Sequence, residues 1–476
     1  MNEQVVLPKR ELGVISLLAM MYVSCIGGAY GTEPIISSIG PMCGIILMYL
    51  LPFFVQFPMC LFTAEMSLSI PSNAGYITWY SSAYGSFGQF ITPFVTCLSL
   101  FSTCLDCAVY PTLFVSYVSQ KFITPNGYQY LMKISIILFG SFINFIGVKC
   151  VGVVSIMIIV MVILPFILFI FTAIPFMNWR NLSTYLPYNH IDFSTFFSVI
   201  FWNLNGVENA ANVIEEVKNP TRNIPLSLFL LVVLTSFSTA TPLMAGVGLD
   251  YQWPNWKEGS FIHVSELLQA GVWGKIVSWL LFIGALLTST GLLLNGMCFT
   301  ARRLQGIANL GINDFIKKLF GRNNKYFGTP DTSILLTMII TIGFAFTTTF
   351  NQLVGVSSAL SALFLIGDFI TFFVLRIRFP YLDRPFKAGP TWLMILLSSP
   401  SILFCLFTVF YGITTDLTTV IVALTMILCS FIVSFFFALF SSKQIVPHQN
   451  IINYLKNGYK PLPRHKEVIV IDEHNN

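Results

Sequence analysis

The 476-residue chain predicts an all-α membrane protein of twelve transmembrane helices, and three observations carry that prediction. Its residues are 55% hydrophobic and only 9% charged, where soluble domains carry about 25% charged residues. The apolar residues gather into twelve stretches, each near the ~20 residues a helix needs to cross a bilayer. The basic residues fall on alternate connections: only Lys121, Lys133, Arg180, Lys257 and Lys275, of 25 Lys and Arg, lie on the poorer side. The positive-inside rule then places the richer side, and both termini, in the cytosol.

In order, the predicted spans are 12–38, 44–70, 90–119, 130–147, 151–171, 196–217, 226–248, 274–299, 332–350, 353–375, 391–412 and 417–439. Polar or turn-forming residues bound them: the loop after Ile70 carries Pro71 and Gly75, Pro225 precedes the seventh span, and Arg302 with Arg303 follows the eighth. Arg376 and Arg378 close the tenth. Residues 1–11 and 441–476 are expected as cytosolic tails around a membrane domain at 12–440, and 261–270 as a short amphipathic helix on the outer surface. The first apolar run is too long for a secretory signal and lacks a small-residue cleavage site, so it should direct its own insertion. Asn181-Leu-Ser183 is a glycosylation sequon in a predicted outer loop.

Two spans break the pattern. The first reads Ser24-Cys-Ile-Gly-Gly-Ala-Tyr-Gly-Thr-Glu-Pro34, with three glycines and a proline at its centre. The sixth contains Phe201-Trp-Asn-Leu-Asn-Gly-Val-Glu-Asn-Ala-Ala211. Asn and Gly are poor helix formers, and hydrocarbon offers no partner for their polar groups. Both helices should therefore be interrupted at mid-depth, facing protein or a water-filled cavity. Interrupted helices at corresponding positions of two halves are the sequence pointer to a transport site.

Five acids fall inside predicted spans: Glu33, Glu65, Asp106, Glu208 and Asp368. A charge at the membrane centre costs at least ~2.5–3.5 kcal/mol on insertion scales. No matching set of basic residues is expected inside the spans, so these acids should be protonated, hydrated or paired with a cation from outside. Glu65, near the 71–75 loop, suits a protonated or capping carboxylate; Glu215 and Glu216 should be solvated at the inner end of the sixth span. Trp202 precedes Glu208 by six residues, and an aromatic face with a carboxylate can clamp an organic cation. Backbone amides of Gly27, Gly28, Ala29, Tyr30 and Gly31 suit a substrate carboxylate where one exists. With Asn205 in the second break, the candidate binding residues are Gly27, Gly28, Ala29, Tyr30, Gly31, Glu33, Asp106, Trp202, Asn205, Glu208 and Asp368.

Other chemistries find no footing. The ten cysteines lie mainly in apolar stretches, and Cys104-Leu-Asp-Cys107 lacks a second ligand pair, so neither a metal nor a disulfide framework is expected. All five histidines fall in loops or the tail, with no HExxH, GxSxG or P-loop. The chain reads as a carrier without catalytic residues or cofactor, driven by an ion or solute gradient. The basic loops set orientation only, with no role for substrate or nucleic acid. A nutrient sensor is the rival reading, disfavoured by the short polar ends.

The sequence resembles the amino acid–polyamine–organocation superfamily over about residues 12–390. The resemblance rests on Gly206-Val-Glu-Asn-Ala-Ala-Asn-Val-Ile-Glu-Glu-Val-Lys-Asn-Pro-Thr-Arg-Asn-Ile-Pro225, on Ala64-Glu-Met-Ser-Leu-Ser-Ile-Pro-Ser-Asn-Ala-Gly-Tyr76, and on Arg384-Pro-Phe-Lys-Ala-Gly389. Gly27-Gly-Ala-Tyr-Gly-Thr-Glu33 and Leu105-Asp-Cys-Ala-Val-Tyr-Pro111 are similar to the eukaryotic polyamine-uptake branch, which borders the L-type amino acid transporters; Glu208 and Asp368 fall where that branch carries acids. The spacing of Trp202 and Glu208 also resembles bacterial arginine–agmatine and putrescine exchangers. This resemblance implies a LeuT-type 5+5 inverted repeat (12–171 and 196–375) with two peripheral helices (391–440), in the plasma membrane. It implies proton-coupled uptake or exchange; the expected cargo is small organic cations, polyamines first, then cationic and large neutral amino acids. The sequence departs from the family in two places: 70–75 lacks the usual acid and double glycine, and the fifth span lacks a central lysine. Sodium therefore stays the alternative coupling ion.

Overall fold

In the computed structural model, residues 10–309, 314–324, 326–346, 350–413, 417–440 and 451–452 are described. Among them no β-strand occurs; a single isolated bridge joins Leu12 to Val217. The helices are α1 (Val14–Cys25), α2 (Pro34–Ile39), α3 (Pro41–Ser69, with a π-helical turn at Pro52–Gln56), α4 (Tyr76–Ala83), α5 (Gly88–Lys121), α6 (Asn126–Ile146) and α7 (Val148–Ala173). Next come α8 (Phe193–Leu204), a 3-10 segment (Val207–Glu216), α9 (Pro220–Leu249), α10 (Ser260–Glu266), α11 (Gly271–Asn309) and α12 (Asp314–Phe320). The last are α13 (Asp331–Ala345), α14 (Phe350–Arg378), α15 (Thr391–Ile413) and α16 (Leu417–Phe440). Among the described residues nine helices are long and apolar enough to cross a membrane. The predicted first, sixth and ninth spans are met by shorter pieces: α1 with α2, α8 with the 3-10 segment, and α13.

Both expected interruptions are present. α1 ends because Gly27, Gly28 and Gly31 take φ of 63°, 98° and 81°, a region where a Cβ is strained. The helix restarts as α2 with Pro34 in its first turn, where the missing N–H costs nothing. α8 ends likewise at Asn205-Gly206, with Gly206 at φ 96°. α5 and α14 pack beside these breaks, and α11 packs along α5, α7 and α1.

Four expectations change. α11 does not stop at 299 but runs to Asn309, which carries Arg302 and Arg303 into the bundle, 3% and 1% exposed. With Arg376, 6% exposed, they supply the buried basic residues that the sequence reading did not expect. Glu65 caps no helix but sits in a buried ion-pair cluster. Arg376 forks onto both its oxygens, Arg384 Nε lies 3.1 Å away and the Ala388 amide donates at 2.9 Å. Glu216 is buried against Arg302 Nε at 2.9 Å rather than solvated, and Glu215 exchanges hydrogen bonds with Asn73. Finally, the 261–270 stretch forms a short amphipathic helix with His263, Glu266 and Gln269 exposed, but its apolar face packs into the bundle: Phe261 is fully buried on Tyr30, Phe166 and Phe169.

The predicted surface features that remain are simpler. Asn181 sits in a 3-10 turn with its side-chain amide donating to the Val247 carbonyl. The ten cysteines are free, and no metal-binding cluster occurs among the described residues. The tails at 1–9 and 453–476 lie outside the described residues.

Candidate functional site

The site forms where the break after α8 meets α5, α11 and α14. Asn205 leaves helical geometry and Gly206 turns left-handed, so the chain restarts with Glu208 in the first 3-10 turn. Free N–H groups at such a start favour negative charge, and the Gly206 and Glu208 amides lie against the carboxylate. Glu208 is 2% exposed, and its Oε2 has no hydrogen-bond partner. Asn205 Oδ1 is also buried and unpartnered. Unsatisfied polar atoms in a buried position are costly and mark sites that await a partner.

Asp106 faces the same space from α5. Tyr110, one turn further along α5, donates its hydroxyl to Oδ2, and Trp202 Nε1 donates to Oδ1 at 2.8 Å. Hydrogen bonds to an ionised acceptor are the strong ones, so Asp106 and Trp202 fix each other across two helices. The Trp202 ring is held edge-on by Phe350, with centroids 6.0 Å apart, and is tilted against Tyr110 at 6.2 Å.

Asp106, Tyr110, Trp202, Asn205, Glu208 and Arg303 line one cavity of about 40 Å³, together with Ser24 and hydroxyls of α5 and α14. Ser102 and Ser361 join those two helices through a 2.6 Å hydrogen bond. The space holds about three waters at most, since a water needs ~10–15 Å³ of such volume. Four of the candidate residues, Asp106, Trp202, Asn205 and Glu208, thus share this cavity.

The others sit around it. Gly31 abuts Trp202: a Cβ there would come within 3.0 Å of the indole. Gly27 and Gly28 face α11 and α7, where a Cβ would meet Thr288 and Val162 at 2.6 Å. Ala29 is fully buried, and Tyr30 donates to the Leu281 carbonyl at 2.7 Å. The amides of Gly28, Ala29 and Tyr30 donate to no described residue. Glu33 lies beyond the break, accepting the Gly259 amide at 3.1 Å with Oε2 unpartnered. Asp368 is fully buried on α14, beside the Tyr80 hydroxyl that donates to the Phe364 carbonyl at 3.1 Å, and in Coulombic range of Glu208 and Arg303. None of Gly27–Gly31, Glu33 or Asp368 lines the cavity.

Sequence reasoning missed Tyr110 and Arg303. Tyr110 stood in plain view four residues after Asp106, the spacing of side chains that share a helix face. Arg303 was assigned to a loop because the eighth apolar stretch fades at Phe299; helix continuation through Ala301 and Leu304 was the available signal.

Comparison with known proteins agrees with this architecture. A family model described as amino acid permease matches residues 12–419. Polyamine transporter RMV1 of Arabidopsis thaliana is 28% identical over 79% of this chain and 76% of its own. Probable polyamine transporter At3g19553, from the same plant, is 30% identical over 80% and 78%. Polyamine transporter PUT1 of rice, Oryza sativa subsp. japonica, is 27% identical over 79% and 69%. An all-helical bundle with apolar spans, broken helices and a family match over most of its length makes this chain a multi-pass membrane transporter, not an enzyme, and a member of the amino acid permease family within the amino acid–polyamine–organocation superfamily.

Proposed function

We propose that the protein takes up small organic cations, polyamines such as putrescine and spermidine first, by coupling them to a proton gradient across the plasma membrane. One observation carries this reading: Asp106 and Glu208 face a single cavity beside the Trp202 ring, and Glu208 Oε2 has no partner. Ammonium groups supply what those atoms lack, and an indole face adds roughly 2 kcal/mol when the cation is desolvated. The relatives named as polyamine transporters support the same cargo. Asp368 is the acid to which we assign the coupling proton, because it is fully buried with no ion pair among the described residues and the Tyr80 hydroxyl beside it.

We further read the chain as twelve spans in a LeuT-type 5+5 arrangement, with repeats at 12–171 and 196–375, peripheral helices at 391–440, and both ends cytosolic. A cavity of about 40 Å³ is a closed form. Cargo enters when the half-helices swing at the glycine breaks, Gly27–Gly31 and Gly206.

Amino acid transport is the second reading. It is favoured by the free amides of Gly28, Ala29 and Tyr30, which suit a carboxylate beside the cation site. The deciding experiment is uptake of labelled putrescine, spermidine, arginine and leucine into proteoliposomes, with and without an inward proton gradient. Proton-stimulated amine uptake is expected; arginine or leucine uptake with no amine uptake selects the second reading. Stimulation by sodium instead of protons overturns the coupling.

A further inference from the structure

Arg303 is the buried basic residue whose chemistry the cation reading leaves unexplained. It is 1% exposed, yet no carboxylate oxygen among the described residues lies within 4.0 Å of its nitrogens. Its guanidinium is held instead by neutral acceptors: one Nη donates to the Tyr76 hydroxyl, the other to Thr103 Oγ1 at 2.8 Å, and Nε is unpartnered. The Tyr76 ring lies 5.2 Å from its Cζ. Arg302, one residue earlier on α11, points elsewhere and pairs with Glu216; Arg376 pairs with Glu65. Arg303 lines the central cavity with Asp106 and Glu208, and its charge reaches Asp368 as well.

A guanidinium stays charged in a protein, and a buried charge without compensation is expensive. Glu208, which lines the same cavity, provides that compensation at a distance, without contact, and Asp368 is also in reach of its charge. A permanent positive charge inside an acidic site also subtracts one from the positive charge the site accepts from cargo. The neutral hydroxyls of Tyr76 and Thr103 position the group while leaving the carboxylates free for ligand.

We propose that Arg303 is a built-in cation of the cargo site, which fills one of the positive positions created by Asp106 and Glu208 and thereby sets how many charges a cargo brings. This rests on the cation reading above.

The test compares wild type, R303Q, R303M and R303K in proteoliposomes. The measurement is competition by cadaverine, spermidine and spermine against labelled putrescine, with monodispersity and thermal unfolding checked for each variant. The neutral variants should shift preference toward cargo with one more charge, raising the spermidine-to-putrescine affinity ratio about tenfold, which is 1.4 kcal/mol. R303K keeps the charge but loses the fork, and should keep the wild-type ratio. An unchanged ratio in a folded neutral variant overturns the proposal, as does a shift in R303K equal to that in R303Q. Loss of arginine uptake with the amine ratio unmoved also overturns it, because Arg303 would then be receiving a carboxylate. If neither neutral variant folds, a shifted ratio in R303K still overturns it and an unshifted one supports it. Wild-type protein that takes up no amine overturns the cation reading itself, and this proposal with it.

Discussion

Glu65 and Glu208 are carboxylates of the same helical bundle, 0% and 2% exposed, yet their surroundings are opposite. Around Glu65 every need is met: two arginines and a backbone amide converge on it, and Arg376 also donates to the Gly389 carbonyl at 2.8 Å. Around Glu208 the accounts stay open: its Oε2, Asn205 Oδ1 and Arg303 Nε lack partners beside a cavity. Burial therefore does not separate a structural acid from a functional one; saturation does. A filled shell ties α3 to α14 and the loop after it, while an unfilled one leaves binding capacity for something that arrives from outside.

Breaking the saturated cluster should have the largest effect. Glu65→Gln strands two arginines, and breaking a buried pair costs ~3–5 kcal/mol. Thermal unfolding of the purified protein should fall by many degrees; a shift below about 2 °C would remove the distinction between the two regions. Next, Glu208→Gln should leave unfolding nearly unmoved while amine uptake in proteoliposomes drops at least ~100-fold, about 2.7 kcal/mol. Retained uptake takes Glu208 out of the site. Trp202→Phe sharpens the comparison, because it keeps the ring and deletes the 2.8 Å donor to Asp106. A hydrogen bond to a charged group is worth ~1.5–3 kcal/mol of stability, so unfolding should shift by up to that amount, less than for Glu65→Gln, while uptake falls roughly tenfold or more. The smallest change is expected at the periphery. Glu266, 54% exposed, meets Lys121 at 3.7 Å, and Glu266→Gln should alter unfolding by less than ~1 kcal/mol.

Much of this was legible from residues alone. A glycine cluster announced the first break and Asn205-Gly206 the second, because a side chain at the positive φ of Gly28 or Gly206 is strained. Asp106, Trp202, Asn205 and Glu208 were readable as polar groups that lipid cannot accept, and they do share a cavity. Residues 261–270 misled because an amphipathic stripe facing lipid headgroups looks the same as one facing Tyr30 and Phe166. The end of the eighth span misled because hydropathy falls where arginines enter, whether or not the helix stops; α11 continues for ten residues past Phe299.

The sequence by itself determined which stretches form apolar helices, where two of them break, and that acids concentrate among them, since these follow from local composition and the demand of hydrocarbon for satisfied backbone groups. Only the tertiary structure decided which acid is neutralised and which stands open. Arg376 reaches Glu65 across 311 positions, and Trp202 reaches Asp106 across 96. Contacts of that range depend on how each helix is rotated against its neighbours, and spacing along one chain carries no record of what stands opposite.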